Sequence, residues 1–191
     1  MIFRRALVAA AALLLSAPAL AQVETYVIDA THTFPSFEIS HLGFSTQRGR
    51  FNNTTGKILL DMTAKSGSVE VNIDTNSIDT GLEALEKVLR DPDWFGVAQF
   101  PTMTFKGDRL RFEGDKLVGV DGALTLRGVT RPVSLKVDHF RCAMHPLRKK
   151  PACGADATTT LKRSEFGMVK FPAPIVGEDV KIAIQIEAIK D

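Results

Sequence analysis

The sequence predicts an all-β protein: an extended antiparallel β-barrel of about eight strands with one amphipathic helix. Three observations carry this expectation. Apolar and polar residues alternate in run after run, as Val69, Val71 and Ile73 do against Glu70, Asn72 and Asp74, which is the period of a strand with one buried face. The runs are joined by short turns, which suit antiparallel pairing and exclude the long crossovers of a parallel sheet. Helical spacing occurs convincingly once. A two-sheet sandwich is the alternative, but strands of this length with a lone helix favour the barrel, which leaves no exposed edge.

Taken in order, the chain opens with Arg4 and Arg5, an uncharged run from Ala6 to Leu15, and then Ser16-Ala17-Pro18-Ala19-Leu20-Ala21. This is the pattern of a cleavable signal peptide over 1–21, leaving a single domain over 22–191. The apolar run is half the roughly 20 residues a spanning helix needs. No integral membrane segment is therefore expected after cleavage.

Glu24 to Asp29 reads as a first strand. From Phe37, the residues Phe37, Ile39 and His41 fall on one side and Glu38, Ser40 and Leu42 on the other, with Pro35 just before the strand. A Gly-rich turn follows and Phe51 is read as beginning the next strand. Gly56 to Asp61 and Ser68 to Asp74 come next. Leu82, Leu85, Val88 and Leu89 then have helical spacing, with Asp79 or Thr80 as the cap and Pro92 as the stop.

The aromatic stretch Asp93-Trp94-Phe95-Gly96 with Phe100-Pro101 reads as a plug over one end of the core. Strands resume at Thr102 to Lys106, Arg109 to Glu113, Lys116 to Leu126 and Pro132 to Phe140. A loop holding both cysteines interrupts them. Ala157 to Arg163 and Val180 to Ile189 complete about nine strand-like runs, the last with Val180, Ile182, Ile184 and Ile186 on one face.

Charge and cysteine narrow the function. The full chain carries 24 basic and 22 acidic side chains. Arg4 and Arg5 belong to the leader, so the mature chain is formally neutral. That weighs against a nucleic-acid partner and against electrostatic docking on anionic lipid. In an exported protein Cys142 and Cys153 have one pairing available, a disulfide contributing about 3 kcal/mol. A metal site shared with His139 and His145 matches no zinc-ligand spacing, and none is expected.

Catalytic signatures are missing. There is no Gly-x-Ser-x-Gly, no His-Glu-x-x-His and no phosphate-cradling glycine loop. The chain is accordingly read as a binding protein with no catalytic residue and no cofactor, unless a bound isoprenoid lipid or quinone is counted as one. The competing enzyme reading places His32, His41 and Asp29 together at a barrel mouth as an acid–base or metal site. What the chain offers in quantity is apolar strand faces, with 12 Phe against one Tyr and one Trp. Periodicity makes Phe37, Ile39, Phe51, Phe105, Ile182, Ile184 and Ile186 the candidate ligand-binding wall, with His41 or His32 near a polar head group. A barrel filled by its own side chains, serving as an interaction module, is the third reading.

Several segments together resemble the YceI family of periplasmic, lipocalin-like, polyisoprenoid-binding proteins. They are Asp29-Ala30-Thr31-His32, Phe37-x-Ile39-x-His41-Leu42-Gly43, Gly49-Arg50-Phe51, Leu89-Arg90, Asp93-x-Phe95, Phe100-Pro101-x-x-x-Phe105, Gly122-x-Leu124-Thr125-Leu126-x-Gly128-Val129-Thr130-Arg131-Pro132, Arg163-x-x-Phe166-Gly167-Met168 and Val176-Gly177-x-x-Val180. The resemblance implies a tunnel-like lumen holding a long isoprenoid or similar amphiphile, in a periplasmic carrier or sequestering protein. It also implies a homodimer, a state in which family members are often found. Thr33, Pro35 and Trp94 depart from the family pattern, and the segment between Cys142 and Cys153 belongs to only part of the family.

Overall fold

The computed structural model describes residues 22–191; the expected leader, 1–21, lies outside the described residues. Eleven strands and one α-helix follow in order: β1 (Glu24–Ile28), β2 (Phe34–His41), β3 (Ser45–Phe51), β4 (Thr54–Asp61), β5 (Ser66–Asp74), β6 (Ile78–Asp79), α1 (Glu83–Arg90), β7 (Thr102–Glu113), β8 (Lys116–Leu126), β9 (Val129–Met144), β10 (Pro151–Lys162) and β11 (Val176–Lys190). Eight of them close an antiparallel barrel in the order β1-β4-β5-β7-β8-β9-β10-β11, with β11 returning to β1.

The length of β11 decides the architecture. Its last residues pair with β1, from Ala188 opposite Ile28 to Lys190 opposite Tyr26, while Val176 to Gln185 pair with β2 from His41 to Phe34. Two strands thus share one edge of β11 at different heights. β2, β3 and β6 continue the wall above the level where β1 leaves it. α1 follows β6 and is tied down at both ends. The Thr80 N–H donates to Glu86 Oε1 at 2.9 Å, and Arg90 donates to the carbonyls of Asn76 and Ile78 at 3.2 and 3.0 Å. The helix starts at Glu83 after Leu82, so Thr80 reaches it through Glu86 and does not act as a simple cap.

The lower end of the barrel is shut by its own side chains. Tyr26, Leu60, Cys153 and Ala188 form a small core there, with Ile58, Leu110, Phe112 and Phe140 packed against it. Tyr26 donates its hydroxyl to Glu24 at 2.6 Å, and burial with that carboxylate neighbour pushes its phenol up to about 12. The larger core lies above, between the strands.

Four local expectations change. Phe51 ends β3 and does not begin a strand, because Leu42 to Phe44 make a tight turn and Ser45 already pairs with His41. Thr102–Glu113 is one strand, bent where the register shifts between Gly107 and Arg109. Pro35 lies inside β2 opposite Ile184, where the missing N–H is tolerated because β3 pairs only from Ser36 onward. The cysteines do not sit in an interrupting loop: β9 and β10 run on past Phe140, and Cys142 is directly opposite Cys153, with Cα atoms 4.1 Å apart and a disulfide between them.

Candidate ligand-binding cavity

The inward faces of the strands enclose a cavity of about 510 Å³. That is within the usual range for small-molecule sites, roughly 300–1,000 Å³. Alternation on each strand puts one set of residues on its wall. β11 supplies Val180, Ile182, Ile184 and Ile186, β5 supplies Val69, Val71 and Ile73, and β8 supplies Leu117, Val120, Leu124 and Leu126. The barrel is hollow and not filled by its own side chains.

The expected wall, Phe37, Ile39, Phe51, Phe105, Ile182, Ile184 and Ile186, lines this cavity throughout, and so does His41, the candidate for a head-group contact. Phe37, Phe51 and Phe95 form a continuous aromatic row, with ring centroids 6.1 and 5.4 Å apart and the second contact edge-to-face. His41 sits at the open upper end of β2, exposed to solvent.

His32 is elsewhere, and its expected place beside a head group is corrected. Its side chain is 57% exposed on the outer surface, with Nδ1 at 3.2 Å from Asp29 Oδ2. It borders a shallow outer groove with His139 and His145. The eight-residue β2, roughly 23 Å long, separates it from His41. A His32/His41/Asp29 constellation therefore does not assemble.

Asp29 has a structural task instead. Its Oδ1 accepts from the Thr31 hydroxyl at 2.6 Å and the Thr31 N–H at 3.0 Å, and its Oδ2 accepts from Arg148 at 2.8 Å. These donors, the Thr31 hydroxyl first, hold its carboxyl down at about 2. The β9–β10 hairpin is thereby fastened to the β1–β2 turn. Among the described residues, no group of three or more His, Cys, Asp or Glu is placed to hold a metal ion. None of the described helices is long and apolar enough to cross a membrane.

Several cavity residues escaped the sequence reading. Leu85, Val88 and Leu89 on the inner face of α1 cover one side, and Trp94, Phe166, Met168, Phe171 and Ile175 line the wall toward the upper end. Trp94 and Phe95 do pack over the core as a plug would, and they also form part of the cavity wall.

Arg163 organises this upper end. Only 3% exposed, it donates Nε to the Gly177 carbonyl at 2.9 Å, Nη1 to those of Met168 and Lys170, and Nη2 to those of Phe171 and Val176. Every guanidinium N–H is used, and the group lies over the Trp94 ring at 5.9 Å. In the sequence Arg163 stands only as the first residue of the Arg163-x-x-Phe166-Gly167-Met168 segment, with nothing beside it to show its partners.

A model of the YceI-like domain matches residues 26–188. UPF0312 proteins of Pseudomonas paraeruginosa and Shewanella denitrificans are each 35% identical, over 89% and 91% of this chain and equal shares of their own. One from Vibrio vulnificus is 32% identical over 94% of both. Among solved structures, BcnA of Burkholderia cenocepacia superposes with a TM-score of 0.72 at 22% identity, over 84% of this chain and 98% of that one. A polyisoprenoid binding domain from Saccharophagus degradans superposes at 0.65 and 18%, over 89% of this chain and all of that one. These last two likenesses are of fold.

Proposed function

The chain belongs to the YceI-like family, and from that premise we propose that it binds a long isoprenoid or similar amphiphile in the barrel. A polyprenyl lipid, an isoprenoid quinone or a fatty acyl compound all fit the chemistry. In this reading it is a periplasmic carrier or sequestering protein, exported by residues 1–21, and not an enzyme.

The observation that carries the reading is the cavity of about 510 Å³ between apolar strand faces, closed below and open above. A chain-like guest gains roughly 0.8 kcal/mol per buried methylene before ordering losses, so about ten carbons give useful affinity. His41 and Arg48 border the open end, where a polar head would remain in water. The fold neighbour from Saccharophagus degradans is itself named for polyisoprenoid binding.

Native mass spectrometry of protein purified from its own periplasm, paired with organic extraction, tests this. One lipid-sized mass per barrel is the expected result. A protein that carries no lipid and takes none up when isoprenoid is added defeats the proposal.

A further inference from the structure

The open end of the barrel carries large apolar side chains in water, some of them on the cavity wall and some just outside it. Phe44 is 90% exposed and Val169 68%, while Leu42, Phe171 and Ile175 are about half exposed. Phe171 and Ile175 also line the cavity, so the apolar rim and the apolar lumen are one surface.

The rim is compact. The Leu42 N–H donates to the Ile175 carbonyl at 3.0 Å, which joins the β2–β3 turn to the segment before β11. The single guanidinium of Arg163 gathers the carbonyls of Met168, Lys170, Phe171 and Val176. Val169 and Phe171 are therefore presented from a fixed loop.

Two of these residues occupy backbone that disfavours them. Leu42 has φ 54 and Phe171 φ 57. Leu42 and Gly43 (φ 70) are the two central residues of a tight hairpin turn, in which Phe44 N–H donates to the His41 carbonyl at 3.0 Å. Asn or Gly is the favoured residue at the first of these positions. An exposed leucine there is unfavourable both for the turn and for solvation. Stability of the isolated fold does not account for it.

Resting on the carrier reading, we infer that this rim is a bilayer-docking surface that seats the mouth on a lipid membrane, so that an apolar chain passes between bilayer and lumen without crossing water. Exposed apolar clusters of this kind mark contact sites, and insertion into the interfacial layer scales with apolar area. The nearby cations are already paired, Arg48 with Glu38 at 2.8 Å and Lys170 with Asp93 at 2.5 Å. Docking is thus driven by apolar insertion and does not select anionic lipid.

The test is flotation of the chain beginning at Gln22, whose barrel closes within 24–190, with ligand-free phosphatidylcholine vesicles. The double variant L42N/F44S is compared with L147S, which removes an 86% exposed leucine at the opposite end of the barrel. Wild type and L147S should float equally at low and high salt, and L42N/F44S should float about tenfold less. Its melting temperature should hold or rise, because asparagine suits the turn, so loss of folding cannot imitate the result. Wild type that fails to float, a double variant that floats normally, an equal loss in L147S, or flotation that requires anionic lipid each overturns the inference and leaves a protein as the occupant of the rim. Isoprenoid uptake from detergent micelles is read on the same samples. Uptake without flotation rejects the docking rim alone, and flotation without uptake rejects the carrier reading alone.

Discussion

Gly49 lies directly opposite Phe37 in the β2–β3 ladder, and the Phe37 ring occupies the space a side chain at 49 would take. A Cβ built on Gly49 would stand 2.5 Å from Phe37 Cζ and 2.8 Å from Cε1. Both distances are far inside van der Waals contact. The glycine lets Phe37 lie flat against the wall and join Phe51 and Phe95, which leaves the lumen clear.

Replacing Gly49 with valine is therefore expected to swing Phe37 into the cavity. Bound isoprenoid per barrel should fall, with an overpacking cost of about 1–3 kcal/mol in urea unfolding. The double variant G49V/F37A should regain capacity, since the clash needs both residues. Unchanged lipid stoichiometry in G49V would mean the ring has another place to go.

Arg163→Met should be severely destabilising, by about 3–5 kcal/mol. It removes five donors and leaves the carbonyls of Met168, Lys170, Phe171, Val176 and Gly177 without this partner, that of Met168 in a buried position. Arg163→Lys should recover only part of this, because an ammonium offers three donors without the planar fork. Limited proteolysis should cut both variants within 168–175 before any strand of the barrel.

The disulfide spans 11 positions between facing residues of β9 and β10. Its removal in C142S/C153S is expected to lower stability by about 3 kcal/mol, the value for a closed loop of this size. Wild type in reductant should match the variant in denaturant titration. Ligand capacity should persist, because the barrel remains closed by its strand ladders.

Asp29 sets one component of acid sensitivity. Its folded value of about 2 is below the roughly 3.9 of an unfolded aspartate. The carboxylate therefore stabilises the fold fully above about pH 4, and that contribution, about 2 kcal/mol, disappears as pH falls toward 2. Asp29→Asn should be less stable than wild type at pH 7. The two stabilities should converge in urea titrations taken at successively lower pH, and parallel curves would assign the acid loss to other groups.

Strand periodicity placed all seven expected wall residues on the cavity because alternation is local: once one face of a strand is buried, every second side chain follows it. The same logic read Ile182, Ile184 and Ile186 from β11 alone. His32 failed for the opposite reason. Sequence proximity to a motif says nothing about which side of a wall a turn residue takes, and the Asp29 carboxylate fixes that turn on the outside.

Residues whose role depends on distant partners were illegible. Arg163 matters through carbonyls five to fourteen positions onward, and the inner face of α1 matters through a gap left by strands far from it in sequence. The amino-acid sequence by itself determined the antiparallel barrel, the face each strand buries and the pairing of the two cysteines. Only the tertiary structure decided that the lumen is open above and shut below. Hollowness depends on strand closure, on β11 serving both β1 and β2, and on where bulky side chains meet across the barrel, none of which is encoded by the spacing within any single strand.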